Sequence, residues 1–206
     1  MLTLINREFQ DHVAYLVLGV LIAAGTVAAM LHSALWEMEE ATAVLFVVVA
    51  VALFIIFCAL GSAQMAGDRA NRISSLLATL AVTRSGILTA RVLVGLLTIL
   101  LTLGPIIVTG IVLLHVLAAP LAFYWGVVLE VAATLFLTGV ACYCVGLQMG
   151  WTGSKVLVLI GSLVLLSLVA PVLVIKGFGV EAIAVLLLWI AASLLRIWHT
   201  FRMVSL

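Results

Sequence analysis

The sequence predicts an all-α polytopic membrane protein: six transmembrane helices, an N-terminal interfacial helix and a short cytoplasmic helix between the second and third spans. Its 206 residues are 67% hydrophobic and 8% charged, so lipid must solvate most of the surface. The apolar residues form long uncharged runs, whereas a transmembrane barrel would alternate apolar and polar residues. One charged interruption, residues 64–91, breaks these runs. The whole chain is therefore predicted to be a single transmembrane domain.

Residues 1–12 are predicted to form the interfacial helix. Leu2, Ile5 and Phe9 share one face at helical spacing, and most of the polar residues lie away from that face. Such a helix would lie flat in the inner leaflet, either as a membrane anchor or as a contact for a cytoplasmic partner.

Six uncharged runs are long enough to cross a bilayer as helices of about 20 residues. They cover residues 13–31, 41–63, 92–117, 121–147, 156–175 and 182–198. Gly104-Pro105 predicts a kink in the third span, and Pro171 predicts a break near the end of the fifth.

The basic residues orient these spans. One set of loops holds Lys176 alone, together with the acidic residues Glu37, Glu39 and Glu40. The other set holds the remaining basic residues: Arg7, Arg69, Arg72, Arg84, Arg91, Lys155, Arg196 and Arg202. Because cytoplasmic loops are enriched in Lys and Arg, both termini and residues 64–91 are predicted to be cytoplasmic in the inner (plasma) membrane.

The charged interruption contains an amphipathic pattern. Ile73, Leu76, Leu77 and Leu80 follow the i, i+3, i+4, i+7 spacing of one helical face. A short helix of this kind could lie on anionic lipid headgroups, or its apolar face could dock in a groove on a soluble subunit. The residues alone leave both interpretations open.

Three stretches of the interruption form an ordered pattern. Ala66-Gly67-Asp68-Arg69 comes first, residues 75–84 read SLLATLAVTR, and residues 87–91 read ILTAR. An acidic-Arg pair thus precedes a leucine-rich helix, a turn ending in Arg and a basic entry into the next span. This order resembles the cytoplasmic signature of type-2 ABC transporter permeases. It departs from that signature at Asp68, where Glu is usual, at Ala81, which replaces a proline, and at Ala90-Arg91, which replaces Gly-Lys.

The resemblance implies a membrane-spanning permease subunit of an ATP-binding cassette transporter, with export favoured, driven by a separate cytoplasmic ATPase. Residues 64–91 would be its coupling segment, with residues 73–80 as the coupling helix. ATP and Mg would bind the partner, and a second permease copy or a related permease would complete the assembly. The residues implied in coupling to the ATPase are Asp68, Arg69, Arg72, Ile73, Leu76, Leu77, Leu80 and Arg84.

The sequence contains no phosphate-binding loop of the form G-x-x-x-x-G-K-[ST]. A chain that moves solute with ATP would therefore depend on another subunit for hydrolysis, and this chain is not expected to be an enzyme or to bind a cofactor. A net charge of +1 gives no signal of nucleic-acid binding.

Glu130 is the one ionisable residue well inside a predicted span. A carboxylate there is unfavourable in lipid, so it should face protein or water, or be neutral. It is either a substrate or proton contact in a translocation path, or an acid that lies near a shallower outer boundary or is hydrogen-bonded between helices. His115 is a weaker candidate for binding a ligand or metal, and the sequence favours an interfacial histidine there.

Two further patterns lie in the fourth span. Cys142 and Cys144 are two residues apart, so on a helix their side chains point in different directions, which argues against their binding one metal ion together. Intramembrane cysteines usually behave as small apolar residues. Gly146 and Gly150 have the G-x-x-x-G spacing of close helix packing. No metal site is predicted.

Two other functions remain open. A haem-exporter-type membrane subunit also has six spans and no motor, and a membrane scaffold or assembly factor would not depend on an ATPase. An intramembrane enzyme is disfavoured because the spans hold no paired acids and no cluster with ligand spacing.

Overall fold

The computed structural model describes residues 13–36, 39–71, 84–117, 125–151 and 179–203, and these residues form five long helices. In chain order they are α1 (Val13–Trp36), α2 (Glu39–Asn71), α3 (Arg84–Leu117), α4 (Trp125–Trp151) and α5 (Val180–Met203). The long uncharged runs fold as helices because a helix satisfies its backbone hydrogen bonds internally.

The all-α, multi-pass prediction is confirmed in its coarse form. All five helices are long and apolar enough to cross a membrane. They correspond to the first four predicted spans and the sixth. The predicted fifth span (156–175), the interfacial helix (1–12) and the coupling helix (73–80) lie outside the described residues, so a total of six spans stays a prediction.

Both ends of the charged interruption are helical and belong to α2 and α3. α2 runs past the end of its predicted apolar span to Asn71, and α3 begins at Arg84, before the start of the third apolar span at residue 92. Alanine, methionine and arginine are good helix formers, so the helix continues where the apolar run stops. At 1.5 Å per residue, these helices of 33 and 34 residues are each about 50 Å long, more than the roughly 30 Å of hydrocarbon.

α2 and α4 share the most extensive helix–helix interface. α5 packs on α4, while α1 packs on α3 and α2. A continuous core is buried between them, and it includes Phe57, Leu60, Ile99, Leu103 and Leu147. The apolar side chains that face outward are those that lipid would solvate.

The α2–α4 interface is close because small residues line it. A Cβ added at Gly146 would overlap the Cys58 backbone, and one at Gly150 would overlap the Ser62 carbonyl oxygen. From the other side, a Cβ at Gly61 would overlap the Tyr143 carbonyl oxygen. The close packing predicted from the Gly146–Gly150 spacing is therefore confirmed. The two backbones touch directly, as at small-residue crossings of membrane helices.

The Gly146→Ala substitution is expected to destabilise the protein by about 1–3 kcal/mol, because backbone on α2 cannot move aside as a side chain can. Gly25→Ala is the matched control, since a Cβ at Gly25 has open space around it. Thermal unfolding in detergent should show a lower midpoint for Gly146→Ala and an unchanged or higher midpoint for Gly25→Ala. Equal midpoints would contradict the close crossing.

Candidate functional site

Three buried polar residues come together where α2, α3 and α4 converge, and two of them are the end residues of the charged interruption (64–91). They are Gln64 of α2, Arg91 of α3 and Tyr143 of α4, which we call the polar cluster. Gln64 and Arg91 are each 2% exposed, and Tyr143 is 1% exposed. The Tyr143 hydroxyl lies 2.6 Å from Gln64 Oε1 and 3.0 Å from the Arg91 carbonyl oxygen. One phenol thus bridges the two helices that flank the segment 72–83.

Local sequence explains this placement. Tyr143 belongs to the stripe of α4 formed by residues 139, 143, 146 and 150, which alternate by four and three residues and so share one face. On α3, Gly95 faces the phenol ring, and a Cβ at that position would overlap the ring. Glycine at 95 therefore lets the Tyr143 side chain reach across to α2.

The donors and acceptors of the polar cluster are not matched one to one. Tyr143 has a single hydroxyl proton but two acceptors within reach. Gln64 Nε2 is buried and has no hydrogen-bond partner among the described residues. The Arg91 guanidinium donates through Nη1 to Met65 Sδ at 3.6 Å. A buried donor without an acceptor is unfavourable, so this junction is a point where local rearrangement gains hydrogen bonding.

Three of the eight residues predicted to couple to an ATPase lie in the described helices that meet at the polar cluster. Asp68 and Arg69 lie in the last turns of α2, and Asp68 is one turn beyond Gln64. Arg84 is the first residue of α3, two turns before Arg91. The other five predicted residues lie outside the described part of the chain: Arg72, Ile73, Leu76, Leu77 and Leu80.

Sequence reasoning identified Arg91 as part of the family pattern but missed its link to Gln64 and Tyr143. The sequence pattern assigns no role to Tyr143, which stands between two cysteines, and none to Gln64 beyond the start of the charged interruption. The available signal was physical: a tyrosine within an apolar span needs a partner for its hydroxyl.

Glu130 lies near the other end of α4, and the structure does not bring it to the polar cluster. It is half-buried, and its carbonyl oxygen accepts a hydrogen bond of 2.7 Å from the Thr134 hydroxyl. Thirteen residues separate it from Tyr143, which is about 20 Å along the helix.

His115 lies at the Glu130 end of the bundle. It is exposed in the last turn of α3, and its ring centroid is 6.5 Å from that of Trp125. The two rings line a small apolar cleft with Ile111, Leu114 and Val128.

The three cysteines carry free thiols. Cys58 Sγ lies 3.7 Å from Met149 Sδ across the α2–α4 interface. Within the described ranges, no three His, Cys, Asp or Glu residues come together as metal ligands could.

Comparison of the chain with family models, with curated proteins and with solved structures gives no match. A functional proposal therefore depends on the sequence pattern at residues 66–91 and on the geometry of the helices that carry it.

The Tyr143→Phe substitution is expected to lower the free energy of unfolding by about 1–3 kcal/mol, because it leaves buried acceptors without their donor. In the Gln64→Leu background the same change should cost less, since one acceptor is already gone. The difference is a coupling energy of about 0.5–1.5 kcal/mol, measured by a double-mutant cycle of thermal or denaturant unfolding.

Thr26→Val supplies the control for this cycle. Thr26 is buried on α1 and bonds the Ile22 carbonyl of its own helix. Its effect should add to that of Tyr143→Phe. If the Gln64 and Tyr143 substitutions were equally additive, the hydrogen bond between α2 and α4 would not contribute to stability.

Proposed function

We propose that this protein is the membrane-spanning permease subunit of an ATP-binding cassette transporter, driven by a separate ATPase and working as an exporter. The observation that carries the proposal is the position of the signature-like pattern. Its first part ends α2 and its last part begins α3, so it joins two continuous membrane-length helices. A protein docked on residues 72–83 would hold both helices by their ends.

Helix geometry supports mechanical coupling. An α-helix is a stiff rod, and α2 and α3 continue without interruption from the charged segment into the bundle core. Displacement of the segment 72–83 would therefore tilt or shift both helices. The polar cluster lies one turn from Asp68 and two turns from Arg84, where such movement would first meet α4.

The proposed cycle has no chemical step on this chain. Two ATPase subunits, which bind ATP and Mg, close on nucleotide and push on the coupling helices of two permease copies. The helix bundles change between two packings and open a central path to either side of the membrane in turn. The termini and the coupling segment face the cytoplasm at the plasma membrane in this proposal.

Glu130 is the proposed cargo contact. It lies toward the end of the bundle opposite the coupling segment and is half-buried in α4. A carboxylate in a membrane helix is favourable only beside protein, water or a polar ligand, which a translocation path supplies.

Substitution of both Leu76 and Leu77 by Glu is expected to lower the affinity for the ATPase by more than about tenfold. A carboxylate forced into an apolar groove loses several kcal/mol of solvation, and each 1.4 kcal/mol is a factor of ten. The measurement is recovery of an ATP-binding subunit with the tagged protein, purified from its own membrane in mild detergent.

The control for this experiment is Ser75→Glu. On the predicted coupling helix, Ser75 lies opposite the face formed by Ile73, Leu76, Leu77 and Leu80. Recovery of a stoichiometric ATPase with the wild type and with Ser75→Glu, but not with the double variant, supports the permease. Absence of any ATPase from the wild-type preparation would favour a scaffold.

Glu130→Gln is expected to lower transport by about tenfold, the effect of losing one charge-assisted hydrogen bond, while ATPase binding stays unchanged. Uptake into inside-out vesicles of the molecules that co-purify with the complex measures the rate. Glu181→Gln, in the exposed first turn of α5, is the control. Unchanged transport at normal expression would remove Glu130 from the path.

A further inference from the structure

We propose that Tyr143 is a positioning residue which exchanges between two hydrogen-bonding patterns and so passes movement of the α2 and α3 ends to α4. This inference rests on the proposed function and assigns a role to Tyr143, which lies outside the coupling segment 64–91. The juxtaposition that carries it is one buried phenol between the side chain of Gln64 and the backbone of Arg91.

The first pattern follows from the shorter contact. The hydroxyl proton points to Gln64 Oε1, 2.6 Å away, and the Arg91 carbonyl at 3.0 Å competes for it. Gln64 Nε2 then has no partner among the described residues. In this pattern α4 is held to α2 more tightly than to α3.

The second pattern needs one bond rotation. If the Gln64 amide turns by 180°, Nε2 donates to the Tyr143 oxygen, and the freed hydroxyl proton is donated to the Arg91 carbonyl. The phenol then acts as acceptor and donor at once, and α4 is held to both helices. A side-chain amide has both donors and an acceptor, and a hydroxyl can donate and accept, so both patterns are chemically allowed, although only the second gives Gln64 Nε2 an acceptor.

Movement of the helix ends would decide between the patterns. Gln64 and Arg91 lie on different helices, so a relative shift of α2 and α3 changes the two contacts of Tyr143 unequally. Hydrogen bonds weaken steeply with length and angle, so a small shift switches the preferred partner. Coupling requires an element with two discrete arrangements that a remote event can bias, and the polar cluster provides one.

α4 can carry the change onward. Its Ala141 and Val145 are buried against Leu186 of α5. The face of α4 toward α2 is fixed by the glycine crossing, so a change at Tyr143 acts on packed neighbours. Gly95 accommodates the phenol ring, because a Cβ at that position would overlap it.

The experiment uses the complex of this chain with the ATPase that co-purifies with it, in lipid nanodiscs. Spin labels at Leu21 on α1 and Val127 on α4, both exposed, report the position of α4 relative to the helices that pack on α1. Cys58, Cys142 and Cys144 are replaced by alanine so that labelling is specific. Distances are measured with and without ATP and vanadate.

In Tyr143→Phe we expect normal ATPase recovery and ATP hydrolysis, with the nucleotide-dependent shift in the α1–α4 distance distribution lost. The ratio of shifted to unshifted molecules should fall by about tenfold, as one buried hydrogen bond allows. Gly95→Ala should act in the same direction by displacing the ring. Gly104→Ala on the same helix is the control, because a Cβ there meets nothing within 4 Å.

The outcomes separate this inference from the proposed function. A wild-type distance shift in Tyr143→Phe overturns the positioning role and leaves the permease standing. If Tyr143→Phe loses both ATPase binding and the distance shift, the positioning role is also overturned, because Tyr143 would then be purely structural. If no ATPase is recovered with the wild type, the proposed function fails and this inference fails with it.

Discussion

The direct backbone contact between α2 and α4 is the constraint on which the rest of this structure depends. Glycines at 61, 146 and 150 remove the side chains that would hold the two helices apart. This contact fixes the rotation of α4, and the stripe that carries the glycines also carries Tyr143. The phenol is thereby placed within hydrogen-bonding distance of Gln64 on α2 and of the Arg91 carbonyl on α3.

Burial then determines the chemistry at this junction. In a membrane protein, water is not available to satisfy polar groups inside the bundle, so they must satisfy one another. In the polar cluster, Gln64 Nε2 has no such partner among the described residues. An apolar junction of the same shape would be simpler to pack. The polar cluster instead makes the attachment of α4 sensitive to small displacements of its neighbours.

Much of the fold followed from the sequence, because uncharged runs of about 20 residues have few structural alternatives. The close crossing also followed from the Gly146–Gly150 spacing. The extension of α2 to Asn71 did not, since charge marks where an apolar surface ends and not where a helix ends. The Tyr143 contacts could not be predicted either, because they depend on which faces of three helices meet. The hydrophobic pattern of one sequence predicts each helix but does not specify which helix faces pack together.

Both α2 and α3 carry more apolar length than an upright helix needs to cross a bilayer. The uncharged runs at residues 41–63 of α2 and 92–117 of α3 correspond to about 35 Å and 39 Å, against roughly 30 Å of hydrocarbon. Helices of this kind satisfy the bilayer when they tilt or when the lipid thickens around them. Acyl-chain length thus acts directly on the inclination of α2 and α3, which makes hydrophobic mismatch a determinant of how deep Gln64 and Arg91 lie.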